Sequence, residues 1–286
     1  MTQTRLDPVQ HKEQQRANWD GASEGWLAIS ETFERGAREV TAELLELGGV
    51  REGMTVLDAA TGIGEPALTA ARVVGPEGRV VGFDLAPGMV AIARRRAAEY
   101  DNIEFRVGDI ESAATGEFDV ALCRWGLMFA IDTVAALRSL AGALRPGGVL
   151  AASTWGPAET VPMLSLGFQA LSGWLEMPAP PPEAPTPFSL SDPGTLAADL
   201  ETAGFVDVSV TEFDVPFSVA DPAEYIELNK AVTPPPMRDL LREQLGEDEE
   251  MAWRAVGDAT LPFRDVDGTI RLPSTALCVR AVKAAS

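Results

Sequence analysis

Two aspartates bracket a glycine turn near the start of the regular part of this chain. Asp58 lies at the end of the apolar run MTVLDA. Gly62-Ile63-Gly64-Glu65-Pro66-Ala67 follows it, a G-x-G-x-x-G/A pattern, and Asp84 ends the next apolar run, RVVGFD. Glycines let a ligand approach the backbone closely. The start of the helix after such a turn attracts an anion. An acid after the second strand, about twenty residues on, accepts from ribose hydroxyls. The chemistry on offer is therefore the holding of an adenosine-bearing cofactor. The turn alone does not separate NAD from other members of that class.

Groups outside the turn narrow the choice. A nicotinamide enzyme needs partners for its proton and hydride, yet neither Tyr100 nor Tyr225 has a lysine four positions on, and the one histidine is His11, in the N-terminal arm. Cys123 and Cys278 lie in apolar runs and read as reduced, buried thiols. With a single histidine they make neither a disulfide framework nor a metal site, so no metal is expected. Asp, Glu or Tyr225 could act as a base, but no spacing singles one out, and the catalytic residues stay unassigned.

The elements that must position these groups alternate. MTVLDA, RVVGFD, IEFRVGD, FDVALCR and VLAASTW read as strands. EPALTAARVV, APGMVAIARRRAAEY and DTVAALRSLAGAL read as helices, with RPGG a turn. This is the pattern of a parallel sheet flanked by helices. Ahead of it, residues 8–20 and 23–47 read as helices, the second from the spacing of Trp26, Ile29, Phe33, Val40, Leu44 and Leu47. After it, residues 156–190 turn irregular and include PAPPPEAPTP, an extended connector by composition. A helix at 192–203 and the strand FVDVSVTEFDV come next. Residues 217–268 are a second irregular, partly helical stretch whose GEDEE run reads as a solvated face, and STALCVRAVKA is the last strand.

Beyond the glycine turn, GDIE (108–111) ends the third strand, RWGLMF (124–129) follows the fourth, and LRPGG (144–148) precedes the fifth. With these, the sequence resembles the class I S-adenosylmethionine-dependent methyltransferases, most of all their ubiquinone/menaquinone C-methylase-like, small-molecule branch. The resemblance covers residues 50–155 closely and 190–215 more loosely. It departs from the family's LDxGxGxG at Ala60, which stands at the first glycine; the change is mild provided the backbone there avoids positive φ.

The resemblance implies a Rossmann-like α/β fold: a doubly wound, seven-stranded, mostly parallel sheet with the last strand antiparallel, N-terminal helices and an inserted helical cap. By the same resemblance, S-adenosyl-L-methionine is the cofactor and S-adenosyl-L-homocysteine the product. Asp58, Ala60, Thr61, Gly62 and Gly64 would line the methionine end, whose carboxylate would use the helix N-terminus at Gly64 and Glu65. Asp84 would take the ribose. Leu85 and Met89 would pack on the adenine, with Gly108, Asp109 and Ile110 at its amino group and ring. Arg124 and Trp125 would lie near the methionine moiety and the acceptor entrance. Trp19, Trp26, Phe129, Trp155 and Trp174 are the candidate acceptor-binding residues, because an aromatic roof suits a lipophilic acceptor.

The domain expectation is an N-terminal helical lid at 1–49, a cofactor-binding core at 50–155, 190–216 and 269–286, and cap insertions at 156–189 and 217–268. The expected activity is methyl transfer to carbon or oxygen of a small lipophilic or aromatic acceptor. The alternatives are the same fold doing non-methylating, cyclase-type chemistry, or an NAD-dependent oxidoreductase. A net charge of -20 argues against nucleic-acid partners. A polar N-terminus and the lack of a long apolar run argue for a cytoplasmic protein without integral membrane association. A monomer or homodimer is expected.

Overall fold

The computed structural model describes residues 6–112, 116–176, 181 and 183–285. The chain forms two compact units. One comprises residues 1–37, 157–184 and 214–275, the other residues 38–156, 185–213 and 276–286.

The α/β unit is built on the strands β1 (Thr55–Ala59), β2 (Arg79–Asp84), β3 (Ile103–Val107), β4 (Phe118–Arg124), β5 (Leu144–Trp155), β6 (Phe205–Val219) and β7 (Ile270–Lys283). β6 and β7 cross the division between the units. The sheet order is β3-β2-β1-β4-β5-β7-β6. β1 pairs in parallel with both β2 and β4, and β5 pairs with β7 antiparallel. This is the Rossmann-like, seven-stranded arrangement expected. Strands β1, β2 and β4 are apolar and buried almost throughout, as strands covered on both faces must be. The flanking helices include α3 (Ala67–Val74), α4 (Pro87–Arg96), α5 (Thr133–Ala143) and α7 (Pro193–Thr202). Because strand order reverses at β1, the turns after β1 and β4 leave the sheet side by side, where a crevice forms in open α/β sheets.

Four local readings change. LRPGG is not a free turn: Leu144 already pairs with Phe118, and a bulge between Phe118 and Val120 absorbs the glycines. The helix after the glycine turn starts at Ala67 rather than Glu65. The stretch 156–190 contains α6 (Pro162–Ser172), and 217–268 is largely helical, with α8 (Pro222–Val232), α9 (Pro235–Leu245) and α10 (Glu249–Asp258). In each of α6, α8 and α9 a proline occupies the first turn, where its missing N–H costs nothing. Of the proline-rich connector, residues 178–180 and 182 lie outside the described residues.

The fourth change is at the N-terminus. α1 (Pro8–Ala28) runs through Gly21, where a break was expected, and ends at Ile29; α2 (Ser30–Gly48) follows. Asp7 caps α1 by accepting from the amides of Val9 and Gln10. Gly21 and Gly25 lie one above the other, four residues apart, and serve packing rather than termination. A Cβ on Gly21 would stand 2.5 Å from Pro235 Cγ, and one on Gly25 would stand 1.9 Å from the carbonyl oxygen of Ala231.

Elsewhere in this helical unit, Tyr225 is fully buried; its hydroxyl donates to the Met163 carbonyl at 3.0 Å and accepts from the Gly167 amide at 3.1 Å. Gly25→Ala should push α1 off α8 and cost on the order of 1–3 kcal/mol, read as a lower urea midpoint. An unchanged midpoint would show that the two helices part without cost.

Candidate functional site

The carboxyl ends of β1 and β2 place the two aspartates. In register, Asp58 lies opposite Gly82 on β2 and opposite Leu122 on β4. Asp84 is the last residue of β2, opposite Val107. Its Oδ2 accepts from the amide of Gly62 at 2.9 Å and its Oδ1 from the amide of Ala86 at 2.9 Å. One carboxylate thus joins the turn after β1 to the start of α4. Each oxygen keeps a second lone pair for a ligand donor. Burial raises the Asp84 pKa, and the amides of Ala86, Gly62 and Leu85 oppose that shift.

Asp58 is wholly buried. Its Oδ2 accepts from Thr61 Oγ1 at 2.5 Å and from the amide of Ala67 at 3.1 Å. Its Oδ1 is buried with no hydrogen-bond partner. Desolvation pushes its pKa up to about 7, against the hydrogen bond from Thr61, the charge of Arg124 and the amide of Ala67, and with the charge of Glu65. A buried carboxyl oxygen left bare is costly unless it is protonated or meets a donor from outside the chain. Between these carboxyls lies Gly62, at φ +54°, and a Cβ built there would meet nothing within 4 Å. The space beside the turn is open. A cationic amino-acid end at Asp58 and a ribose at Asp84 fit this arrangement.

The other expected cofactor residues fall around the same strand ends. Leu85 is half-buried and Met89 buried at the start of α4. Gly108 donates its amide to the Asp84 carbonyl at 2.9 Å, continuing the ladder past β3. Asp109 Oδ1 accepts from the amide of Glu111, so the third-strand turn is self-braced, and Ile110 is half-buried beside it.

Two expectations change. The Gly64 amide and the first amides of α3 already have partners. The amides of Ala67, Leu68 and Thr69 go to Asp58, the Gly64 carbonyl and the Glu65 carboxylate, and the Gly64 amide goes to the Thr61 carbonyl. A methionine carboxylate finds those donors taken and an acid, Glu65, beside them. Ala60, moreover, has φ +54°, the left-handed region that its mildness as a substitute required it to avoid. Arg124 is held by Thr41 of α2, its Nη1 donating to Thr41 Oγ1 at 2.7 Å.

Of the expected acceptor residues, Trp155 at the end of β5 stacks on Trp125, with ring centroids 4.1 Å apart and planes 12° from parallel. Phe129 is half-buried in the turn after β4. Trp19, Trp26 and Trp174 belong to the helical unit. There Trp19 and Trp26 have ring centroids 6.2 Å apart, Trp26 meets Phe33 edge-on at 5.2 Å, and Trp174 is 37% exposed.

Sequence reasoning missed Arg96, whose Nη1 donates to the Ile63 carbonyl at 2.7 Å and so braces the glycine turn. It also missed Glu111, whose carboxylate accepts from the Ile131 amide and ties the third- and fourth-strand turns together. No spacing marks either one. Among the described residues, no group of three or more His, Cys, Asp or Glu could hold a metal. Burial raises Cys123 to about 12, so it is no nucleophile. Tyr225, one of the bases considered, is also raised to about 12 by burial, with its hydroxyl engaged as described.

The Asp58 carboxyl gives a pH signature. Its folded pKa lies above the ordinary carboxylate value of 3.8, so the folded chain holds the extra proton between 3.8 and about 7. Stability from this group is full below that window and lost as pH rises through it. Asp84 acts in the same direction, and His11, lowered by desolvation, in the opposite one. The urea midpoint of the ligand-free protein should fall from about pH 5 to about pH 7.5. Asp58→Asn should flatten that fall, and an identical slope in the variant would return Asp58 to an ordinary carboxylate.

Comparison with known proteins agrees with this geometry. Residues 50–176 match the methyltransferase domain model. A ubiquinone/menaquinone biosynthesis C-methyltransferase from Pseudomonas putida is 39% identical over 111 residues, 37% of this chain and 43% of the relative. The match therefore spans less than half of that protein's length. Nocamycin O-methyltransferase from Saccharothrix syringae is 32% identical over 186 residues, 60% of this chain and 66% of that one. The crystal structure of the [4+2]-cyclase SpnF superposes with a TM-score of 0.60 at 18% identity, covering 96% of this chain and 97% of that one, a likeness of fold alone. Residues 50–176 thus match a methyltransferase domain, and the strand order sets that stretch in a seven-stranded Rossmann-like fold.

Proposed function

We propose that this chain is an S-adenosylmethionine-dependent methyltransferase that methylates carbon or oxygen of a small lipophilic or aromatic acceptor. The observation that carries the reading is the open glycine turn flanked by two buried carboxyls, Asp58 with a bare oxygen and Asp84 clamped by amides. The C- and O-methyltransferases among its relatives support the choice of acceptor class. The charge of -20 favours a small acceptor over nucleic acid. Among the described residues, no helix is long and apolar enough to cross a membrane. We place the protein in the cytoplasm, as a monomer or homodimer.

When bound, the cofactor supplies a methyl group on a sulfonium, and the protein's task is to bind, orient and exclude water. Asp84 would hold the ribose hydroxyls with its free lone pairs. Asp58, whose bare oxygen is closed off in the free chain, would answer the ammonium of the amino-acid end once binding opened a path to it. Leu85 and Ile110 would offer apolar surface to the base, with the buried Met89 behind them. The α/β unit contains no histidine. The reading therefore asks for an acceptor that attacks without a histidine base, such as an already acidic enol or phenol.

Calorimetry with S-adenosylhomocysteine, S-adenosylmethionine and NAD tests the cofactor, and only the first two should bind. Asp84→Ala should weaken S-adenosylhomocysteine roughly tenfold to a hundredfold, the loss of a charge-assisted acceptor. Unchanged affinity in a folded Asp84→Ala variant would remove Asp84 from the site. A panel of quinols and phenols, followed by mass spectrometry for the gain of one methylene, tests methyl transfer itself. Consumption of an acceptor without that gain would favour the cyclase-type reading.

A further inference from the structure

Three non-glycine residues among those described sit at positive φ: Ala60 at +54°, Trp125 at +55° and Asp207 at +49°. The first two open the turns after β1 and β4, neighbouring strands in the sheet. They meet through a single residue. A Cβ added to Gly126 would stand 2.4 Å from the Cβ of Ala60, so the methyl of Ala60 occupies the place a side chain at 126 would need. An L-residue in the left-handed region is strained. Such strain persists only where the surroundings over-determine it, and it gathers at functional sites.

Here the surroundings are visible on both sides. On one side, Thr61 donates its amide to the Phe83 carbonyl at 3.0 Å and Gly62 donates to Asp84. On the other, Trp125 donates its amide to the Ser153 carbonyl at 2.9 Å and its ring stacks on Trp155.

A continuous path therefore runs from the open space at Gly62 along the chain to Ala60, across the packed methyl to Gly126, and by the adjoining Trp125 to Trp155. We infer that Ala60 is a positioning residue whose methyl group, seated on Gly126, passes occupancy of the glycine turn to the Trp125–Trp155 pair, so that cofactor binding sets the pair before the acceptor arrives. This rests on the cofactor reading proposed above. Glycine at position 60 would relieve the strain and leave a gap of one methyl beside Gly126. The glycine turn could then move without moving Trp125. The departure from glycine at this position is the coupling device.

Stacked indoles give an exciton couplet in far-ultraviolet circular dichroism, and Trp155→Phe identifies the part due to this pair, separating it from Trp19 and Trp26. In the wild-type protein, titration with S-adenosylhomocysteine should change that couplet with the midpoint found by calorimetry. Ala60→Gly should lose the couplet response even at S-adenosylhomocysteine concentrations that saturate the variant by calorimetry. Its KM for an acceptor should rise by a larger factor than its KM for the cofactor.

Ala60→Gly combined with Gly126→Ala puts the methyl on the other side of the contact and should restore part of the response. Gly126 has φ -102°, which alanine adopts freely, and only Cys123 Sγ, 3.1 Å from the added Cβ, must give way. A wild-type couplet indifferent to bound S-adenosylhomocysteine overturns the coupling, as does a full response in Ala60→Gly. Absence of S-adenosylhomocysteine binding to the wild type by calorimetry overturns the cofactor reading, and the inference with it.

Discussion

A carboxylate with almost no access to water must be answered by donors, and Asp84 is answered by the backbone of two separate turns. It takes the amide of Gly62 with one oxygen and the amide of Ala86 with the other. Those bonds fix the glycine turn against the end of β2 and set the start of α4. Gly62 can keep its left-handed backbone, Thr61 can reach the Phe83 carbonyl, and Ala60 is forced to follow. The sheet supplies the frame, since parallel pairing of β1 with β2 brings Asp58 and Asp84 to the same end.

Asp58 shows the opposite economy. It is as buried as any residue in the protein, yet one of its oxygens has no partner. Desolvation therefore governs its titration, with Arg124 only partly offsetting it. A site that leaves a polar atom bare in the free protein gives up stability that a suitable ligand recovers on binding. The same holds for the left-handed alanine and tryptophan on either side of Gly126. These features are poor for folding, and they cluster at the strand ends where the sheet order reverses.

The sheet was legible because its strands are short apolar runs separated by helical periodicity and glycine turns. The two aspartates and the glycines were legible because their spacing is tied to the backbone geometry they serve. Other features had no such signal. Arg96 and Glu111 act through long side chains on main-chain carbonyl and amide groups far away in sequence, which no local pattern records. The helices within 156–190 and 217–268 are hard to delimit from sequence because α6, α8 and α9 each open on a proline, which marks a helix's end as readily as its start. Gly21 suggested a break, whereas its role depends on Pro235, more than two hundred residues away. The sign of φ at Ala60 was the condition on which its reading turned, and it is set by the tertiary ties to Phe83 and Gly126.

The position of β7 bears on how the chain is made. β6 lies at the edge of the sheet with β7 as its neighbour, and β7 is also the strand that covers β5. Between β6 and β7 in the sequence come the helices α8, α9 and α10. During synthesis β6 must therefore wait, with its hydrogen-bonding groups unpaired, while three helices emerge. The flank of β5 waits with it. An unpaired strand held open this long is a template for wrong partners. The polar, alternating character of β6, with Glu212 and Asp214 along it, keeps that waiting strand wet.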